Sequence, residues 1–262
     1  LKLGRLIAAE LATYGIIVQV LVATRDVGVM FTAGVWRCTS GGNSRMAKAV
    51  KRTKRIANIA KVTRSARKLF VSGAYPQATW GHQCVGIAPT QVLALRRLAA
   101  SSTGVSVKSQ RCLNSCVAIC FGKRSDPWQS IVKELVLLWM KLMPGFYVKS
   151  RFDLALAWSK AKQDVCLGPT PDTQEQVASM KILWRRVTGP ISNMVATLYA
   201  IGFLPHSFSE WVSPDGIRWI LPTSASFPFC PVPLVHALQD HIGKKLWAEA
   251  STHVLNGKGL KH

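Results

Sequence analysis

The sequence predicts a mainly α fold, a helical bundle with a short N-terminal β element and a small β-hairpin near 211–221. Three observations carry this expectation. Helix start signals precede apolar-periodic stretches, most clearly at Asp126–Pro127, where an N-cap acceptor meets proline at the first helical position. A basic stretch from Ser44 to Ser72 spaces its apolar residues at helical intervals. Strand-type patterning is confined to the N-terminal stretch from Gly15 to Phe31, which opens with the β-branched run GIIVQVLVAT, and to WVSPDGIRWIL with its Pro-Asp-Gly turn.

Taken in order, LKLGRLIAAELA has helical spacing and leads into the β-branched run. Val27, Val29 and Phe31 alternate and suggest a second strand, joined to the first by a tight turn at Arg25–Asp26. CTSGGN, from Cys38 to Asn43, reads as a loop. The basic helical region 44–72 follows, closed by Gly73 as a C′ residue. Its apolar stripe shifts. Met46, Val50, Thr53 and Ala57 share one face, whereas Ile59, Val62, Ala66, Leu69 and Phe70 share another, which places a break near Lys61–Arg64. Pro76 starts a short helical stretch, Pro89 and Thr90 precede a helix through QVLALRRLAA, and 101–111 is Ser-rich and loop-like.

After Asp126, an apolar face of Trp128, Ile131, Val132, Leu135, Leu138, Trp139 and Leu142 runs to a stop at Pro144–Gly145. A second helix is expected near Phe152–Val165. A third should be capped by Asp172, show Val177, Met180, Trp184 and Val187 on one face, and end at Gly189–Pro190. A fourth should span Ile191–Ile201 and stop at Gly202. FPFCPVP is irregular, and a last helix lies near Leu234–His253. Patterning and charge density change near 104–125, giving expected domains at 1–36, 37–110 and 111–262.

The charge narrows the function classes. The chain holds 34 Lys and Arg against 12 Asp and Glu, for a net charge of +22. No acidic residue stands between Asp26 and Asp126, an interval with 17 Lys and Arg. A compact domain so unbalanced repels itself, and a polyanion relieves the repulsion. The candidate contacts are Arg45, Lys48, Lys51, Arg52, Lys54, Arg55, Lys61, Arg64, Arg67 and Lys68, with Arg96 and Arg97 extending the surface. An ordinary solvated helix face mixes both signs; this one does not. The expected partner is RNA, DNA or an RNA–DNA duplex, with an anionic membrane surface as a second candidate.

The longest early apolar run, Leu11 to Thr24, is too short to span a bilayer and lacks a cleavage pattern. The seven Cys are scattered, which favours a reducing, intracellular compartment, the nucleus included. Cys112, Cys116 and Cys120 stand at i, i+4 and i+8, a spacing unlike that of zinc sites. No Gly-x-Ser-x-Gly, phosphate-binding loop or Gly-x-Gly-x-x-Gly is present. The aspartates, at 26, 126, 153, 164, 172, 215 and 240, are isolated and suited to turns and caps, so a two-metal site is not expected. No catalytic residue, metal ligand or cofactor is assigned within the chain.

Residues 26–104 carry a resemblance. The order is DVGVMFTAG, then KRTKRIANIAK, then SARKLFVSGAYPQATWGHQCVG, then LALRRLAASSTG. This resembles the region after the palm in reverse transcriptases of retroelements without long terminal repeats. Val27-Gly28-Val29 matches the segment that closes the palm, with Val27 where Leu is usual. Trp80-Gly81 matches the Tyr-Gly or Trp-Gly segment, and Leu95-Arg96-Arg97 the thumb helix. The resemblance implies a thumb-and-connection piece of an RNA-directed DNA polymerase that grips a template–primer. It also implies an upstream polymerase core with its Tyr-x-Asp-Asp strand and a divalent metal in the intact parent. On this reading the chain is a fragment, inactive by itself. Trp80 and Gly81 would pack helices rather than stack on bases. The alternative is a stand-alone basic RNA-binding or architectural protein.

Overall fold

The chain is mainly helical, with a small three-stranded antiparallel sheet. The computed structural model describes residues 2–18, 23–26, 29–32, 34–104, 112–223 and 230–252. Helix α1 (Lys2–Thr13) precedes an antiparallel pair, β1 (Ala23–Asp26) and β2 (Val29–Thr32). Asp26 faces Val29, so Arg25 and Asp26 belong to β1 and not to the turn expected there. Residues 16–18 are irregular rather than strand, and 19–22 lie outside the described residues.

Helix α2 (Ser40–Ala60) begins inside the expected loop, at Ser-Gly-Gly-Asn. Glycine weakens a helix locally. Here the first turn is held from outside, because Gln91 Nε2 donates to Asn43 Oδ1 at 3.2 Å. After Ala60 the helix breaks where expected. A 3-10 turn (Arg64–Arg67) and a π-helical turn (Phe70–Ala74) lead directly into α3 (Tyr75–Thr79). Gly73 therefore ends no helix. It lies under the Arg52 side chain, whose Nη1 donates to the Gly73 carbonyl at 3.2 Å. Helices α4 (His82–Val85), α5 (Pro89–Ser101) and α6 (Leu113–Phe121) complete the first half.

Helix α7 (Pro127–Val165) starts as predicted. Asp126 accepts from the Trp128 amide at 2.9 Å, and the Gln129 side chain accepts from the Asp126 amide at 3.2 Å. It does not stop at Pro144; the break comes at Ser150 (φ −149°, ψ 38°). Proline removes one amide donor, yet the helix continues through it to the break at Ser150. The expected third helix shrinks to α8 (Gln174–Ser179), capped by Thr173 instead of Asp172. Beyond it Ile182 bridges Cys166, and Trp184–Arg186 form a 3-10 turn. Helix α9 (Pro190–Ala200) precedes β3 (Leu204–Ser207), β4 (Glu210–Val212) and β5 (Arg218–Ile220), in the order β3-β4-β5. The hairpin was legible; β3 beside it was not. Helix α10 (Val232–Thr252) closes the described chain. Residues 227–229 of the irregular stretch and His253 lie outside it.

Two hydrophobic cores meet along α7. The first gathers Ile56, Phe70, Tyr75, Ile87, Leu95 and Val117 and reaches Ile131. The second begins at Val132 and gathers Trp139, Trp158, Leu198, Phe203, Trp211 and Leu238. Trp139 and Trp158 stand 5.4 Å apart and donate to the Phe208 and Pro205 carbonyls at 3.0 and 3.3 Å, pinning the sheet to α7. The first core thus draws residues from beyond 110.

Candidate nucleic-acid interface

Helix α2 buries only a narrow stripe, Ala49, Thr53, Ile56 and Ala60, at intervals of four, three and four. Small side chains let α2 lie close to its neighbours while most of its circumference stays in water. At about 100° per residue, Lys51 falls opposite that stripe, Lys54 and Arg55 lie about 130° from it on either side, Lys48 about 110° away, and Arg52 on its flank. All five are exposed. Lys48 to Arg55 spans about 10 Å along the axis. Lys61, Arg64 and Lys68 continue the exposed cations past the helix end, with Arg67 and Arg45 half-buried. Among the described residues, Lys48, Lys51, Arg52, Lys54, Arg55, Lys61, Arg64, Arg67, Lys68 and Arg97 form no ion pair. Most of this charge is exposed, with no ion-paired carboxylate among the described residues.

The apolar pattern on this region misled. The buried stripe shares Thr53 with the expected Met46–Val50–Thr53–Ala57 face but is rotated from it by about 60°. Ile59, Val62 and Leu69 are exposed, whereas Ala66 and Phe70 are buried. Alanines carry little hydrophobic signal, so the packed face is weak in the sequence.

Arg96 does not extend the surface. It is buried on α5, where its Nε donates to Asp126 Oδ2 at 2.7 Å and its Nη2 to Asn114 Oδ1. Asn114 in turn donates to the Leu246 carbonyl of α10 at 2.6 Å. The reason is electrostatic: a carboxylate capping a buried helix start needs a partner. Arg97, one residue on, points to solvent.

Arg37, which the sequence did not single out, is also internal. Its Nη2 donates to the Gly86 carbonyl at 2.6 Å and to Gln91 at 3.0 Å, and burial lowers its pKa. Beside it, the half-exposed Trp36 ring meets the guanidinium carbons of Arg185 and Arg186 at 4.6 and 4.5 Å. This pairing ties 34–37 to the second half and holds two cations outside the interval free of acids. Only a fold brings these positions together.

The Trp-Gly pair divides its roles. Gly81 has φ +73°, and a Cβ there would stand 2.5 Å from Val29 Cγ2, so the turn packs directly on β2. Trp80, by contrast, is 56% exposed and does not serve as buried helix packing. Next to it, His82 is 3% exposed. Its Nδ1 lies 2.8 Å from the Thr79 carbonyl and its Nε2 3.6 Å from Glu134 Oε2. Tyr75 donates to Glu134 Oε1 at 3.0 Å. Burial lowers the His82 pKa, opposed by the Glu134 charge, and burial together with that same charge raises the Tyr75 phenol. This Tyr–Glu–His cluster joins α3, α4 and α7 and had no sequence signature.

Cys112, Cys116 and Cys120, at the start of α6 and along it, are half-buried and form no disulfide among the described residues. Among the described residues no three His, Cys, Asp or Glu side chains converge. No catalytic step is assigned to the described residues. No described helix is long and apolar enough to cross a membrane. Comparison with protein-family models, with curated proteins and with solved structures finds no match.

Proposed function

We propose that this chain is the template–primer-binding portion of an RNA-directed DNA polymerase of a retroelement without long terminal repeats. The observation that carries the reading is the solvent face of α2 and its extension, a run of cations with no ion-paired carboxylate among the described residues. Such a face meets phosphates and reads no bases, so binding is independent of sequence and releases counterions. The order of segments across 26–104 supports the family, and the Trp-Gly turn against β2 gives one of its segments a structural role. The chain alone is expected to polymerise nothing; the divalent metal and its aspartates belong to the parent.

The test is affinity for an RNA–DNA duplex as a function of salt. The logarithm of the binding constant should fall linearly with the logarithm of salt, by about 0.9 per phosphate neutralised. Replacing Lys51, Arg52, Lys54 and Arg55 together by Ala should flatten that slope by about 3 to 4. An unchanged slope removes α2 from the interface. Tighter binding to acidic liposomes than to duplex would move the assignment to a membrane surface.

A further inference from the structure

A second group of cations stands outside the interval free of acids. Trp36 is half-exposed and meets the guanidinium carbons of both Arg185 and Arg186, at 4.6 and 4.5 Å. Those two distances keep the carbons within about 9 Å of each other. Like charges so close repel. Among the described residues neither guanidinium has an ion pair or a hydrogen bond to relieve the repulsion. One cation would be enough to anchor the ring to the second half; the other adds only repulsion unless an anion joins the pair. A guanidinium carries five N–H donors in a planar fork, and here no described protein acceptor takes any of them.

The surroundings place this pair beside the basic helix and add a third cation. The Arg37 amide donates to the Arg185 carbonyl at 2.8 Å, the Arg37 guanidinium donates to Gln91, and Gln91 donates to Asn43 in the first turn of α2. Arg186 also lines a cleft of about 440 Å³ with the exposed Lys160. Asp164 lines the same cleft and pairs with neither cation. A guanidinium fork fits the paired oxygens of a phosphate, and phosphates recur along a strand, so one strand serves both forks. We propose that Arg185 and Arg186, held on Trp36 with Lys160 beside them, form a second phosphate-binding site, through which the second half of the chain grips the nucleic acid that α2 binds. The ring holds the forks before the ligand arrives, so less side-chain freedom is lost on binding. The inference rests on the nucleic-acid reading above and adds to it contacts far from α2 in sequence.

The experiment measures binding of the whole chain to a fluorescent RNA–DNA duplex by anisotropy across a salt series. Arg185→Ala with Arg186→Ala should flatten the salt slope by about 2, since each phosphate neutralised contributes about 0.9. Lys160→Ala, at an exposed position, should flatten it by about 1. If thermal melting shows the double variant unfolded, Lys160→Ala alone decides. Arg185→Lys with Arg186→Lys keeps the charge but not the forks; the slope should hold while affinity falls about three- to tenfold. Unchanged slopes in the double alanine variant and in Lys160→Ala would overturn the assignment. So would a greater loss of affinity by the double alanine variant for polyglutamate or for phosphatidylserine vesicles than for duplex. A slope flattened by the α2 replacement alone would remove this site and leave the α2 interface standing. A slope flattened by the Arg185 and Arg186 replacements alone would support this site and remove α2 from the interface.

Discussion

At the residue scale, neighbours in sequence can have opposite environments. Arg96 and Arg97 read as one pair of surface cations, yet only Arg97 is exposed. Arg96 is committed to Asp126, with both side chains under a tenth exposed. Truncating Arg96 to Ala leaves that carboxylate buried and uncompensated, at a cost of about 3–5 kcal/mol. Arg97→Ala should change stability by less than about 0.5 kcal/mol. Urea denaturation of the two variants checks this, and equal midpoints would contradict it. His82 sets a pH dependence. Its pKa in the folded protein lies below the ordinary histidine value because of burial. The unfolded chain therefore binds the proton more readily. The stabilising contribution is present above pH 6.5 and is lost as the pH falls through the lower, folded value. His82→Gln should flatten the fall of the urea midpoint between neutral and mildly acidic pH; a parallel curve in the variant would rule out His82 as its source.

At the element scale, most starts and stops follow local chemistry, and the exceptions follow contacts. The Asp126 cap, the break after Ala60 and the hairpin around Pro214–Gly216 are written in residues close in sequence. The run through Pro144, the helix over Gly41–Gly42 and the passage over Gly73 are not. In each, a buried face or a side chain from another element offsets a weak local signal. The junction of α2 with the end of α5 depends on one glycine. Gly104 has φ +72°, and a Cβ there would stand 2.7 Å from the Ala60 carbonyl carbon. Gly104→Ala should therefore destabilise the protein by about 1–3 kcal/mol through left-handed strain added to that collision. A thermal melt within one degree of the natural protein would contradict this close approach.

At the scale of the whole molecule, charge and packing are separated. The buried stripe of α2 faces the first core, and the cations face water. The ion-paired carboxylates among the described residues come from the second half and serve other partners. Asp126 holds Arg96, Asp240 holds Arg124 with its own pKa lowered by that guanidinium, and Asp215 meets His241 at 3.1 Å and Lys244 at 3.6 Å. None of these ion pairs involves Lys48, Lys51, Arg52, Lys54 or Arg55 of α2. The salt-slope prediction belongs to this scale, because counterion release counts every phosphate neutralised over the whole face. The basic residues of that face were legible from sequence, since an interval of one sign needs no fold to be noticed. The Tyr75–Glu134–His82 cluster was not, since its members are brought together by three helices.

By itself the sequence determined the helical class, the short β elements, the cap that starts α7 and the excess of positive charge. Composition and residues a few positions apart are enough for these. Only the tertiary structure decided which cations stay in water, which one is locked inside beside a helix cap, and where a carboxylate is left facing a cleft. Those outcomes depend on desolvation, which is set by what a side chain is packed against rather than by its neighbours along the chain.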